Sequence, residues 1–347
     1  MTIIYFILIL GITVMVHEFG HFLFAKKAKV HVYEFSIGMG PRLFKWNRKN
    51  DETEYSVRLF PIGGYVQMAG EDNEDDKKVP KEGLMQSKTW LQRFMIVIAG
   101  VMFNFIMAII ILFFIALFTG APQKEAYIGS LEEGYPAYGS GLEIGDEITH
   151  INDKKVGSSD ILLLHLELNK GKTVTFTVEK EDGTVENITV EPIKVTENDV
   201  ETYKYGFGLS NKVEKGFIVS VKYAFQKTFT LIHQMILIIG NLFTGGLSLN
   251  SLSGPVGIYT VVGETAKAGF VNLVFLLAYI SINVGFMNLL PIPAFDGGRL
   301  LFLIIEKIKG SPVDTKIENI IHSIGFILLM ALMIVITYND IVRIFFK

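Results

Sequence analysis

Two histidines and a glutamate near the N-terminus have the spacing of a zinc-dependent hydrolytic site. His17, Glu18 and His21 form an H-E-x-x-H sequence inside an otherwise apolar stretch. Residues four apart on a helix share nearly one face, so both imidazoles can bind one zinc ion. Glu18 is turned about 100° from His17 and can reach a zinc-bound water as general base and later proton donor. The alternative, a surface helix with two solvated histidines, is disfavoured because ionisable groups in lipid are costly unless partnered.

Catalytic zinc takes three protein ligands and keeps one position open. Asp296 is the carboxylate we expect to complete the set, since it directly follows an uncharged apolar stretch. Pro291 and Pro293 lie just before it and would break a helix there. Backbone freed at membrane depth must line protein or a water cavity. Alone, Asp296-Gly297-Gly298 would be read as a helix-ending turn, but beside the two histidines we predict a zinc ligand.

The segments that carry these residues are predicted to cross a membrane. Of 347 residues, 50% are hydrophobic and 19% are charged. Four stretches reach the roughly 20 apolar residues that a membrane-spanning helix needs. We therefore predict a multi-pass α-helical membrane protein with spans at residues 2–24, 94–118, 268–295 and 319–339. Residues 223–243 are more polar and are predicted to form an amphipathic interfacial helix, with a fifth span as the alternative.

The distribution of charge predicts the orientation of the chain. Residues 25–49 hold seven basic residues and one acidic residue, which places this loop in the cytoplasm by the positive-inside rule. Residues 122–215 carry 10 basic and 18 acidic residues and are then expected outside. A net charge of -3 argues against nucleic-acid binding, and the absence of cysteine excludes a disulfide scaffold and a cysteine-ligated metal.

The acidic outer segment, residues 122–213, has the pattern of a small β-rich domain. Val174–Val178 and Ile188–Val190 alternate β-branched residues, and Asp182-Gly183 between them is a hairpin signal. The sequence from Gly141 to Asn152, GLEIGDEITHIN, predicts a turn followed by two core isoleucines, and it resembles a circularly permuted bacterial PDZ domain. Such domains bind extended chain ends by strand addition. The alternative is a β-rich spacer that only limits access.

The two catalytic motifs carry a resemblance that covers nearly the whole chain. H-E-F-G-H in the first span and N-x-x-P-x-P-x-x-D-G-G at the end of the third resemble the site-2 protease family of intramembrane metalloproteases, and within it the bacterial RseP group. Residues 58–71 (RLFPIGGYVQMAGE) resemble the family's membrane re-entrant β-hairpin, expected over 53–71. The resemblance implies a membrane part (1–121), an extracytoplasmic PDZ-like α+β domain (122–213), an amphipathic linker (214–267) and a second membrane part (268–347).

The resemblance also implies a function and roles for individual residues. It implies regulated cleavage of transmembrane segments of single-span proteins, such as trimmed anti-sigma factors and remnant signal peptides, in the lipid bilayer of the bacterial inner membrane. The active site would lie toward the cytoplasmic side. His17, His21 and Asp296 would bind Zn²⁺ and Glu18 would activate water. Substrate binding would use Asn288, with Gly63, Gly64 and Tyr65 on the hairpin. The alternative for residues 62–65 is a plain tight turn.

Two rival functions use the same residues. A zinc transporter would need ionisable residues along a path through the membrane, and the third and fourth spans offer few. A catalytically silent PDZ scaffold would have no need of Glu18. Of the other histidines, His31, His150 and His165 are expected to be solvated, and His322 is expected at the membrane interface.

Overall fold

The computed structural model describes residues 1–70, 74–197, 200–248 and 251–345. Glu71, the last residue of the expected hairpin, lies outside the described residues. The chain forms two compact units. One contains the residues up to Ile111 and the described residues from 251 onward, and the other contains residues 112–248. The first unit holds every residue expected to do chemistry.

The described residues contain eight α-helices, and four of them are long and apolar enough to cross a membrane. Their bounds are α1 Thr2–Lys27, α2 Trp90–Thr119, α3 Ser159–Leu168, α4 Phe217–Phe243, α5 Pro255–Lys267, α6 Phe270–Leu289, α7 Asp296–Lys309 and α8 Thr315–Phe345. Short 3-10 turns lie at Glu74–Lys78, Lys81–Gly83 and Met85–Ser87. The candidate spans are α1, α2, α6 and most of α8, which confirms the prediction of four. The ambiguous helix α4 is not among them.

The third span is shorter than predicted, and a helix that was not predicted follows it. α6 ends at Leu289 rather than at residue 295. Pro291 and Pro293 lie in the connection after it, where proline can neither donate a backbone hydrogen bond nor continue a helix. Asp296 therefore does not end the third helix; it is the first residue of α7.

The segment between α1 and α2 forms a pair of long antiparallel strands, β1 Val32–Asn47 and β2 Glu54–Met68. Residues 34–37 of β1 have partners in both 64–67 and 54–57, so the two strands fold back on one another. Pairing thus starts at Val32, inside the stretch described above as a loop. Gly64 pairs with Ile37 and Tyr65 with Ser36. The tight-turn alternative for residues 62–65 is therefore wrong.

A buried carboxylate ties the two strands together. Glu34 accepts hydrogen bonds from the Tyr65 hydroxyl at 2.7 Å and from Arg58 Nη2 at 2.8 Å, and the Ser56 hydroxyl also donates to it. A buried carboxylate is tolerated only when paired in this way. On the other face, apolar residues of the strands, including Val32 and Val66, pack with Ala25 of α1 and Ile96 of α2.

Residues 121–214 are called the inserted domain below, and their described part contains ten short strands and α3. The strands are β3 Ala121–Pro122, β4 Ile128–Leu131, β5 Glu147–Ile151, β6 Lys154–Lys155, β7 Val174–Glu179, β8 Val185–Val190, β9 Ile193–Glu197, β10 Val200–Lys204, β11 Phe207–Leu209 and β12 Val213–Glu214. A four-stranded sheet has the order β6-β5-β7-β8, and the pairs β3–β12, β4–β11 and β9–β10 are antiparallel. The expected hairpin around Asp182-Gly183 is confirmed by the β7–β8 pairing.

The inserted domain has one apolar core, built by alternation along its strands. Ile148, Ile151 and Phe176 are fully buried, as predicted for the two isoleucines.

After the domain, α4 lies against α3: Lys227 Nζ pairs with both carboxylate oxygens of Asp160 at 2.7 and 2.8 Å. The exposed side chains Ile218, Phe225, Phe229 and Ile236 follow one face of α4. The helix is therefore amphipathic, while its place at the membrane interface stays a prediction.

Candidate metal centre

The site is built on α1 and α2, which approach each other closely. A Cβ atom added at Gly20 would lie 2.5 Å from the carbonyl oxygen of Ala99, nearer than a real Cβ contact allows. Close helix approach through small residues is the usual packing of membrane helices. Because Gly20 lies one residue before His21, this contact turns the histidine-bearing face of α1 toward α2.

Three side-chain atoms converge on one point. His17 Nε2 lies 3.0 Å from Asp296 Oδ2, His21 Nε2 lies 3.2 Å from the same oxygen, and the two Nε2 atoms are 3.2 Å apart. Zinc with ligand bonds of 2.0–2.1 Å in a tetrahedral arrangement separates its ligand atoms by about 3.3 Å. The three distances therefore match one face of a tetrahedral zinc site.

Hydrogen bonding supports the same interpretation. His21 Nδ1 lies 2.8 Å from the Ile96 carbonyl oxygen, which can only accept. A neutral His21 therefore carries its hydrogen on Nδ1 and presents a lone pair at Nε2. Asp296 Oδ2 is buried and has no hydrogen-bond partner in the described part of the chain. Lone pairs that converge in a buried place need a cation, and imidazole with carboxylate suits Zn²⁺.

Gly100 of α2 makes room for the two histidines. A Cβ atom at this position would lie 2.4 Å from His21 Nε2 and 2.8 Å from His17 Cε1. No residue but glycine fits there without displacing the imidazoles. The histidine pair is buried, with 7% of His17 and 6% of His21 exposed. The imidazoles are thus held between α1 and the glycine face of α2.

Asp296 reaches the histidines because the connection after α6 folds tightly onto the start of α7. A Cβ atom at Gly297 would lie 2.1 Å from the Leu290 carbonyl oxygen, so a side chain at this position is excluded. Ala294 has a positive φ of 86°, and its backbone N–H donates to His322 Nδ1 at 3.1 Å. These two contacts determine the path of the chain into Asp296.

Helix α7 is also joined to the first turns of α2. The Trp90 indole N–H donates to the Leu303 carbonyl oxygen at 2.7 Å. Arg93 Nη1 donates to Glu306 Oε2 at 2.9 Å, and the second oxygen of Glu306 accepts from Arg93 Nη2. A bidentate pair of this kind restricts orientation as well as distance. The helix that begins with Asp296 is therefore held to the helix that contacts both histidines.

A cavity of about 930 Å³ lies over the convergent atoms. Its lining includes His17, Glu18, His21, Tyr65, Asn288 and Asp296. A Cβ atom at Gly64 would lie 3.7 Å from Glu18 Cγ, so β2 passes beside the glutamate. Gly63 packs against the Met39 side chain instead. Of the four predicted substrate-binding residues, Asn288 and Tyr65 thus line the cavity, although the Tyr65 hydroxyl is already bonded to Glu34.

Sequence reasoning missed several residues that form this site. His322, expected at the membrane interface, lines the cavity and accepts the Ala294 hydrogen bond. Gly100 and Asn104, in an uncharged apolar helix, contact the histidines. Away from this site, His165 of the inserted domain was expected to be solvated but is 3% exposed. The G-x-x-x-N spacing on α2 was the one available signal, since small and amide residues four apart mark a helix-packing face.

Comparison with known proteins matches the chain over nearly its whole length. The pattern of Peptidase family M50 matches residues 5–332. The regulator of sigma-W protease RasP from Bacillus subtilis is 34% identical over 422 aligned positions, covering 99% of each chain. A Clostridium acetobutylicum relative is 37% identical over 338 residues, covering 97% of this chain and 96% of its own. The solved PDZ domain of an SdrC-like protein from Listeria innocua is 24% identical and covers 25% of this chain and 96% of its own, with a TM-score of 0.22.

Proposed function

Because the chain belongs to Peptidase family M50, the site-2 protease family, and is a zinc metalloprotease, we propose that it cleaves membrane-spanning segments within the bilayer. The observation that carries the proposal is the convergence of His17, His21 and Asp296 beside Glu18. Two of these ligands and Glu18 lie on α1, which is long and apolar enough to span a membrane. A hydrolytic site on such a helix is suited to peptide bonds that other proteases cannot reach.

We assign the zinc ligands to His17 Nε2, His21 Nε2 and Asp296 Oδ2, and the general base to Glu18. When bound, zinc supplies Lewis-acid polarisation and makes water more acidic. The Glu18 carboxylate then accepts the proton of the attacking water and can return it to the leaving amide nitrogen. Neither Glu18 oxygen belongs to the convergent triangle, so this carboxylate can take part in proton transfer rather than in metal binding. The Asp296 carboxylate, 18% exposed, would offset part of the positive charge of the metal.

A substrate must be unwound before it can be cut, because the peptide bonds of a helix are shielded by its own hydrogen bonds and side chains. Residues 64–67 of β2 pair with β1 on one side, and none of the described strands pairs with their other edge. Tyr65, Val66 and Met68 also line the cavity. We assign this edge to the extended substrate, which would add as a further strand. Asn288, across the cavity lining, would bind the substrate backbone through its amide.

The substrates we propose are single-span membrane proteins, with anti-sigma factors and remnant signal peptides as the leading classes. The Bacillus subtilis relative is described as a regulator of sigma-W, which favours the anti-sigma class. The excess of basic residues in 25–49 favours a cytoplasmic position for this segment, and the acidic inserted domain would lie outside. The active site would then lie toward the cytoplasmic side of the bacterial inner membrane.

The test is cleavage of a co-expressed single-span reporter by the full chain and by its Glu18→Gln variant. The amide keeps the shape of the glutamate but cannot act as a base. We expect cleavage to fall by about 10²–10⁴-fold while the zinc content of the purified protein is unchanged. Undiminished cleavage would refute the role of Glu18 and would favour a scaffold or transporter. Asp296→Ala should instead lower the bound zinc, and unchanged metal content would exclude that ligand.

The orientation can be tested in the same chain because it has no cysteine. Val185 is 64% exposed in the inserted domain, so Val185→Cys presents a reactive thiol without disturbing the core. Labelling of intact cells by an impermeant thiol reagent is expected at this position. Labelling only after the membrane is permeabilised would reverse the proposed orientation.

A further inference from the structure

Asn104 is a buried amide in the middle of the apolar helix α2, and its side chain faces one of the metal ligands. The residue is 0% exposed, and its amide Nδ2 lies 3.3 Å from His17 Nδ1. The amide oxygen is buried and has no hydrogen-bond partner among the described residues. A polar side chain in such a place is costly unless it is used. The proposed reaction assigns it no role.

The chemistry of His17 determines which atom of Asn104 must face it. A histidine that binds zinc through Nε2 carries its hydrogen on Nδ1, and that N–H needs an acceptor. With Nδ2 toward the ring, two donors would oppose each other at 3.3 Å. Rotation of the amide by 180° occupies the same space and places Oδ1 against Nδ1–H. The acceptor that now lacks a partner then receives the imidazole hydrogen.

The second histidine already has this arrangement. His21 Nδ1 faces the carbonyl oxygen of Ile96, also on α2, at 2.8 Å. Ile96, Gly100 and Asn104 are spaced four residues apart and share one face of the helix. One face of α2 therefore offers a main-chain carbonyl to His21, space for both rings at the glycine, and a side-chain carbonyl to His17.

Helix α6 holds Asn104 in place from behind. The Ser281 hydroxyl donates to the main-chain carbonyl oxygen of Asn104 at 2.9 Å. A Cβ atom at Gly285 would lie 3.3 Å from Asn104 Cβ, so the two helices are in close contact there. The amide consequently has little freedom to leave the imidazole.

We propose that Asn104 is a positioning residue whose amide oxygen accepts the Nδ1 hydrogen of His17 and so holds that ring in its metal-binding tautomer. The inference rests on the proposed zinc role of His17. Groups that orient a metal-ligating histidine in this way typically change metal affinity by 10–100-fold when removed. Asn104 should therefore affect zinc binding without contacting the metal.

The experiment measures zinc affinity by competition with a chromophoric chelator, on the purified full chain in detergent. Asn104→Leu has a similar shape but no acceptor, and we expect about 10–100-fold weaker binding. Asn104→Asp keeps an acceptor and cannot donate from an ionised carboxylate, so we expect affinity equal to or above that of the wild type. Asn283→Leu, on α6, removes an amide that, among the described residues, bonds only to the Tyr279 carbonyl oxygen of its own helix, and it should leave affinity unchanged.

Two outcomes would overturn the inference. Wild-type affinity in Asn104→Leu would mean that His17 needs no acceptor from α2. Binding by Asn104→Asp as weak as that of Asn104→Leu would mean that the amide acts as a donor. If the leucine variant does not fold, the aspartate variant decides alone, with affinity reduced more than tenfold as the refuting result. Failure of the wild type to bind zinc would instead refute the metal centre itself.

Discussion

The metal centre differs from the inserted domain in that it buries glycine and histidine in addition to apolar side chains. In the inserted domain, large apolar side chains such as Phe176 and Ile151 are fully buried. On α1, Leu8 is 50% exposed while Gly20 and His17 are buried. In water the hydrophobic effect drives large apolar groups inward. Between helices in lipid that force is absent, so close backbone approach and hydrogen bonds provide the contact.

Because of this difference, we expect a change in side-chain volume to have different consequences in the two regions. In the inserted domain, removal of volume from the core costs stability because it leaves a cavity. At the metal centre, addition of volume is harmful because small residues occupy the contact between the helices. Each region can therefore be tested with its own substitution, which should leave the other region unchanged.

The largest effect is expected from Phe176→Ala in the inserted domain. The ring packs edge-on against Tyr205 and Phe207, and its removal should cost about 3–5 kcal/mol. The chain lacks cysteine, so Val190→Cys, in the same core, provides a thiol whose labelling in urea reports unfolding of this domain. Leu163→Ala, 55% exposed, serves as the control and should change the labelling midpoint little. Unchanged zinc content in Phe176→Ala would support the separation of the two regions.

A smaller effect on folding but a direct effect on the metal is expected from Gly100→Ala. The added methyl would lie 2.4 Å from His21 Nε2, so the ring must move out of the ligand triangle. We expect zinc affinity to fall by about 100-fold, with cleavage falling in parallel. Gly240→Ala is the matched control on a helix, because nothing lies within 4 Å of the added atom. Full zinc affinity in Gly100→Ala would show that the two helices can separate without harm.

The smallest effect is a pH dependence of the stability of the inserted domain. Burial, together with the charges of Lys154 and His233, lowers the pKa of His165 below its ordinary value of 6.5. The folded domain thus favours the neutral ring. The contribution of the neutral His165 ring to the stability of the domain is complete above pH 6.5, and it is lost as the pH falls through the lowered pKa.

The measurement is the urea midpoint of Val190→Cys labelling at pH 7.5 and at pH 5. We expect a lower midpoint at pH 5 in the parent chain and a smaller difference in His165→Leu. His150→Leu, whose ring is less buried, serves as the control. An equal pH dependence of the midpoint in all three chains would mean that titratable groups other than His165 cause it.

Much of the inserted domain could be predicted, because apolar and polar residues alternate along a strand that has one buried face. Val174–Val178 and the turn at Asp182-Gly183 are local signals, and the observed pairing agrees with them. His165 was wrongly expected to be solvated because one histidine on a short helix carries no pattern. The strand pair β1–β2 was only partly predicted, since its first strand lies within residues 25–49, a segment whose overall basic charge was read as a cytoplasmic loop.

In the membrane part, too, features with a local sequence signal could be predicted, while features that depend on contacts between distant segments could not. Length and apolarity predicted four spans, and H-E-x-x-H predicted two ligands and a base on one helix, because helix spacing is a local property. The third ligand was expected on chemical grounds, yet its approach to 3.0 Å from His17 depends on the folded connection between α6 and α7. That connection depends on Gly297, which leaves room for the Leu290 carbonyl oxygen, and on His322, which is close to it only in space.

The sequence by itself therefore determined the kind of chemistry, the residues able to perform it and the helices that carry them. Only the tertiary structure decided that one face of α2 completes the site, with Ile96, Gly100 and Asn104 placed against the two histidines. The physical reason lies in what each residue contributes. Ile96 offers a main-chain carbonyl oxygen, Gly100 leaves space because it has no side chain, and Asn104 offers an amide. Their spacing of four residues is visible in the sequence, but each acquires its role only when α2 packs against α1.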